Sequence, residues 1–375
     1  MKQLLVLLMI LPTIIFGLTP ESEVKVNEAW DAWQLNDLDL VEDNFKSALD
    51  LDEANFRAYM GLTLLYKMQE KSLEGWETLE KGLEYTDNKY PYLYSFFPTF
   101  IMNNIENTKK SNFVKYIEVV AKEGDPTCEL QAVLYNKLAK FYSSKKKLSK
   151  ARQYVAKTNT ISNWMMIGPF ENISASGHDT VYPPEESYDP LAEYEGKEKV
   201  PTFWFQNTPT DMYVWIDFRK HFGASEAIFY GNSFVFSPMK QSAQIRTGTS
   251  GSLKVFLNDE NIFEISDENN NSEDSYIVET ELQKGWNRLL IKTGFSEINN
   301  CNFYARITDA GGNQIDGLKY SLENKNYISK PITPIKVIDH FAFKYFEQQI
   351  KENPEQPENY IMLATAKHYG YCQYK

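Results

Sequence analysis

The apolar positions change their period twice along the chain. Over residues 22–89 they recur at helical spacing and the pattern repeats, with Phe45, Ala48 and Leu49 followed 34 positions later by Leu79, Gly82 and Leu83. A 34-residue period of paired helices predicts tetratricopeptide-type helical hairpins. Ala29, Ala32 and Ala48 let two helices approach, while Phe45, Tyr59 and Tyr66 fill the space between hairpins. Residues 90–131 are looser, because Pro91 and Pro98 interrupt "YPYLYSFFPTF" before an amphipathic helix that ends at Gly124 and Pro126. A better repeat follows. Tyr135, Leu138, Ala139 and Tyr142 lie on its first helix and Ala151 and Val155 on its second, so the array ends near Thr160.

Beyond Thr160 the spacing becomes alternating. Segments 213–220, 226–237, 242–248, 252–258, 275–281, 286–293 and 302–309 read as strands, separated by Gly, Asn and Asp. Many short strands without intervening long helices predict a β-sandwich or barrel. The seam between the two regimes is "NWMMIGPFENISASGHDTVYPPEES". Trp164–Phe170 reads as the first strand, stopped by Gly168-Pro169, and Tyr182-Pro183-Pro184 as a stiff extended strap. Asn258-Asp259 supplies a hairpin turn, Gly285 turns the chain, and Trp286 and Leu289 can bury. Helical spacing returns near Pro334. Ala342, Phe346 and Pro354 fit a repeat's second helix, and Tyr360 and Leu363 open a further first helix. That helix lacks a partner in the repeat, so the chain reads as cut short.

Three phrases, "WMMIGPFEN", "GHDTVYPPE" and "LQKGWNRLLIK", together with the order of parts, resemble exported proteins of Bacteroidota-type bacteria. In that family, tetratricopeptide repeats flank a galactose-binding-like jelly-roll β-sandwich. Longer relatives carry a transglutaminase-like domain further on. The resemblance implies an interaction or carbohydrate-binding role. No Cys, His and Asp set in this chain matches the transglutaminase-like triad.

Composition narrows the partners. The net charge is -12, which argues against a nucleic-acid partner, since a phosphate backbone needs a basic stripe. The lysines of "SSKKKLSK" read as a solvated helix end. Lys2 followed by apolar Leu4–Phe16 and then Gly17 reads as a secretory signal, too short to span a bilayer. This places the mature protein in the periplasm or medium, with no transmembrane span after cleavage. Cys128, Cys301 and Cys372 are odd in number and far apart, so they form no disulfide framework and no metal-type pair.

Candidate chemistry is sparse. His178-Asp179 has the types of a base and its orienting group, but no nucleophile has matching spacing, and a surface loop is the better reading. The four histidines show no zinc spacing. "SDENNNSED" at 266–274 is rich in the oxygen ligands calcium needs, yet lacks the glycine-punctuated loop of a hand-type site, so it reads as a solvated loop. Trp204, Tyr213, Trp215 and Tyr230 are candidates to stack on a sugar ring, against the alternative that strand aromatics are core. Val26, Trp30 and Trp33 of the first repeat, with Met60, Leu64 and Met68 of the second, fall on concave-face positions and could form an apolar groove. Covering by neighbouring helices is the alternative.

The chain therefore divides into a signal (1–17), helical repeats (18–160), a sandwich (161–330) and the start of further repeats (331–375). The functional expectation is a non-enzymatic scaffold for a protein or peptide partner, without cofactor or metal. A carbohydrate-binding protein in glycan handling, or the front of a transglutaminase-like protein, are the alternatives.

Overall fold

The computed structural model describes residues 19–104, 112–123, 130–208, 212–223, 225–296, 298, 300–329 and 334–371. The signal segment 1–17, Cys128 and Cys372 lie outside the described residues. The chain forms two compact units, one ending at Lys89 and the other beginning at Tyr90.

The first unit is two helical hairpins: α1 (Pro20–Gln34) with α2 (Leu38–Leu51), then α3 (Phe56–Met68) with α4 (Ser72–Gly82). Asp37 and Asn55 cap α2 and α3, their side chains accepting from the Leu40 and Ala58 amides. Asn55 also donates to Ser22 Oγ and Glu23 Oε1, both at 2.8 Å, tying the second hairpin to the first turn of α1. Both hairpin turns hold a non-glycine residue in the left-handed region, Asn36 at φ 58° and Glu70 at φ 57°, so the 34-residue repeat is visible in the backbone itself. Phe45 is fully buried, and a Cβ at Gly61 would come within 2.1 Å of its ring. Gly61 is thus the notch that receives the repeat's aromatic.

The second unit opens with α5 (Lys89–Asn104), α6 (Phe113–Glu123), α7 (Leu130–Ser144) and α8 (Leu148–Lys157). Contrary to the expected interruption, α5 runs through Pro91 and Pro98. Pro91 stands in the first turn, where an amide has no helical acceptor to lose. The turn between α7 and α8 repeats the device of the first unit, with Lys146 at φ 57°.

A short helix, α9 (Pro183–Glu186), and the strands come next: β1 (Met165–Glu171), β2 (Glu193–Glu195), β3 (Pro201–Phe203), β4 (Phe205–Gln206), β5 (Ile216–Asp217), β6 (Ala227–Ser237), β7 (Gln241–Leu257), β8 (Glu260–Asn270), β9 (Tyr276–Leu282), β10 (Gly285–Phe295), β11 (Asn302–Thr308), β12 (Lys319–Ser321) and β13 (Lys336–Ile338). Every pairing between these strands is antiparallel. One layer runs β4-β1-β6-β10-β7-β8, with β12 also on β6. The other runs β5-β11-β7-β9-β13. β7 belongs to both layers: residues 241–250 pair in the second, and 252–257 join β10 in the first. The sequence suggested two strands here, split at Gly248–Gly251. The structure keeps one strand bent at Gly251, whose φ is +125° and where an added Cβ would stand 2.4 Å from the Gly294 carbonyl oxygen, leaving no place for a side chain.

The core between the layers holds Phe229, Val235, Ile245, Val255, Val278, Leu289, Ile291, Phe303 and Ile307, with Cys301 buried among them. A second core lies on the outer face of the first layer, around Phe170, Tyr188, Trp204, Tyr230, Phe234 and Leu290. Successive residues of β6 and β10 feed the two cores alternately, as strand geometry requires. β1 does not stop at Gly168-Pro169, because pairing with β6 resumes at Phe170 after an irregularity.

The chain then returns to helix in α10 (Phe341–Glu352) and α11 (Pro357–Tyr371). These helices do not stand as an uncovered half-repeat. Tyr92 of α5 packs edge-on against Phe346 at 5.2 Å, and Ser95 donates to the Met362 carbonyl at 3.3 Å. His340 caps α10, its ring nitrogen accepting from the Ala342 amide and its ring stacked 4.1 Å from Phe343. Burial pushes that imidazole down to about 3.

Candidate functional site

The seam loop is a strap, and the motif "WNRLLIK" holds it down. Arg288, Leu290 and Lys292 project from β10 to the outer face of its layer. Lys292 Nζ donates to the carbonyls of His178 (2.9 Å) and Thr180 (2.7 Å) and to Glu185 Oε1 (2.8 Å). Tyr230 donates to the same Glu185 oxygen at 2.5 Å. Arg288 reaches the Pro184 carbonyl, Asn232 and Asp259, at 2.6, 2.8 and 2.9 Å. Burial lowers the affinity of Lys292 for its proton, against the pull of Glu185. Pro183–Glu186 is a helical turn rather than the expected extended strap. His178 is buried and held below its usual pKa by that burial, while the Asp179 side chain is 90% exposed, so the two form no dyad.

Of the groove residues, Val26, Trp30, Met60 and Leu64 are buried. Trp30 meets Phe45 edge-on at 5.4 Å and Trp33 at 5.2 Å, and the Met60 methyl lies against Gly82. The covering alternative therefore holds for these four. Trp33 is half-buried, and Met68 alone of the six is well exposed, at 56%.

The four sugar-stacking candidates divide in two. Trp204 and Tyr230 belong to the core beneath the strap, Trp204 lying 5.1 Å from Tyr188. Tyr213 is exposed, with the Lys220 ammonium 4.7 Å from its ring centre. Trp215 is half-buried and walls a cleft of about 310 Å³ between α7 and the second layer. Its indole N–H donates to Glu273 Oε1 at 2.8 Å, and its tip lies over Gly248, where a Cβ would stand 2.9 Å away.

The rest of the cleft is polar. Lys137 and Lys140 come from α7, Ser250 from β7, Asn270 from the end of β8, then Asn271, Ser272 and Glu273, and finally Asn300 and Asn302. The 266–274 run is therefore no solvated loop: β8 continues to Asn270, and residues 271–274 are buried. Asp274 accepts from Arg306 Nε at 2.9 Å and from Arg246 at 3.3 Å. Glu273 also accepts from Asn136. Guanidinium, amide and indole groups thus hold the carboxylates of Glu273 and Asp274. Among the described residues no cluster of His, Cys, Asp or Glu is arranged to hold a metal.

Two buried polar atoms on this wall, Asn271 Nδ2 and Asn302 Oδ1, have no hydrogen-bond partner among the described residues. Asn271 is 5% exposed, and its other amide atom is spent on the Thr249 amide at 2.7 Å. Such atoms are costly unless something completes them. Burial, and secondarily Lys140, push Lys137 down to about 8, with Glu273 pulling the other way. A second, smaller cavity of about 50 Å³ shares Trp215 and is bordered by Tyr213, Asp217, Lys220 and His221. Sequence reasoning found Trp215 and part of the acidic run. It missed Lys137, Ser250 and Asn302, whose convergence depends on strand register.

No protein-family model and no curated protein sequence matches the chain. Among solved structures, a chain titled "Functional Characterization of Pseudomonas Aeruginosa pilF" is similar over 36% of this chain and 59% of its own length, at 14% identity and a TM-score of 0.23.

Proposed function

We propose that the protein is an exported, non-catalytic binding protein whose sandwich and adjoining helices hold a saccharide in the Trp215 cleft. The observation that carries this is the pairing of one aromatic wall with an unsatisfied donor, Asn271 Nδ2, and an unsatisfied acceptor, Asn302 Oδ1. A sugar hydroxyl both donates and accepts, and a sugar ring's C–H face suits an indole. Export is supported by Lys2 and the apolar run Leu4–Phe16. The test is a glycan array probed with the whole chain and with Asn302→Ala. Because Asn302 Oδ1 has no hydrogen-bond partner among the described residues, Asn302→Ala should melt like wild type and bind at least about tenfold more weakly. Wild-type protein that binds no glycan sinks the proposal.

A protein partner on the helical repeats is the second reading. Leu35 (79% exposed) and Met68 (56% exposed) favour it, since they close the first helix of consecutive hairpins. Changing both to Lys should abolish an isolated partner's binding without changing the fold.

A further inference from the structure

We infer that the saccharide taken by this cleft is acidic, with its carboxylate or sulfate seated against Lys137 and Lys140. The inference rests on the saccharide reading and adds the class of sugar. The two lysines stand three residues apart on α7, hence on one helix face, and both line the cleft. Among the described lining residues Glu273 is the one carboxylate; it is buried, accepts from Asn136 and Trp215, and also attracts Lys137. The next carboxylate along the chain, Asp274, is shared by Arg246 and Arg306 behind the same wall. The described lining carries two lysines against one carboxylate in a chain whose net charge is -12, so this is a local arrangement and not a generally basic surface. Asn271 Nδ2, buried and lacking an acceptor among the described residues, adds a neutral donor that an oxyanion satisfies as well as a hydroxyl does. Lys137 is partly desolvated, which strengthens its attraction to an anion relative to a lysine in water.

The experiment uses the whole chain on an array of immobilised neutral, uronate-bearing and sulfated oligosaccharides. Binding to acidic glycans is expected, and the two acidic sets show whether carboxylate or sulfate is preferred. On the strongest glycan, Lys137→Gln and Lys140→Gln should each weaken binding by about tenfold or more, with Lys140→Gln melting like wild type. Trp215→Phe, which keeps a ring but loses the bond to Glu273, should weaken it too. Binding confined to neutral glycans, or unchanged in both lysine variants, overturns the acidic assignment and leaves the saccharide reading standing. Acidic binding untouched by Trp215→Phe and Asn302→Ala means surface attraction outside the cleft and also overturns it. No binding to any glycan removes both.

Discussion

Replacing Lys292 by Met tests whether the strap is held by one buried cation. The Lys292 side chain is 1% exposed and Glu185 9%, so water cannot replace the lost ammonium at the carboxylate. Breaking a buried pair by removing one partner typically costs about 3–5 kcal/mol. Here the Tyr230 hydroxyl, at 2.5 Å, still donates to the same oxygen, and the Thr180 carbonyl is only partly buried. Both facts favour the lower end, about 3 kcal/mol. For a domain of this size that corresponds to a fall of roughly 6–12 °C in Tm. Thermal unfolding followed by circular dichroism reads it, and limited proteolysis should show cleavage opening within residues 172–187. The double variant Lys292→Met, Glu185→Gln removes the stranded charge and should recover a large part of the loss. A single variant that melts with wild type, or a double variant no better than the single, refutes the reasoning.

Two further outcomes are expected. Gly61→Ala puts a Cβ 2.1 Å from the Phe45 ring and should destabilise the first unit by roughly 1–3 kcal/mol, with partial rescue by Phe45→Leu, both measured by thermal melting. His340 binds its proton far less readily folded, at about 3, than unfolded, at about 6.5, so its contribution is complete above the unfolded value and is lost as pH falls toward 3. His340→Asn keeps a cap acceptor without that titration, and its stability should vary less between those pH values than wild type's, as read by acid unfolding.

The helical hairpins were legible because their apolar period is local: Phe45 and Leu79 announce the repeat without any distant partner. Gly61 was not noticed, since a notch is defined by the ring that fills it. Strand positions followed from alternation, but β7 was divided because Gly248 and Gly251 look like turn residues when the second layer is unseen. The acidic run was misread for the same reason. Its polarity is compensated by Arg246, Arg306 and Asn136, which only the folded arrangement brings close. The six groove positions assumed an open concave face, and four are covered. The cleft was half legible: Trp215 stood out as an aromatic, whereas Lys137 looked like any helix lysine.

The bond from Ser95 to Met362 spans 267 residues, and it sets an order of events during synthesis. The first unit is tied by contacts such as Ser22 to Ala48 and Asn55 to Glu23, only 26 and 32 residues apart, so these can form once residue 89 has emerged. The apolar side of α5, with Tyr92, Leu93 and Phe96, must wait for α10 and α11. At roughly 5–20 residues per second, that wait is on the order of tens of seconds. During it the apolar side of α5 has no α10 or α11 to pack against, which makes it a segment for a holding chaperone to cover.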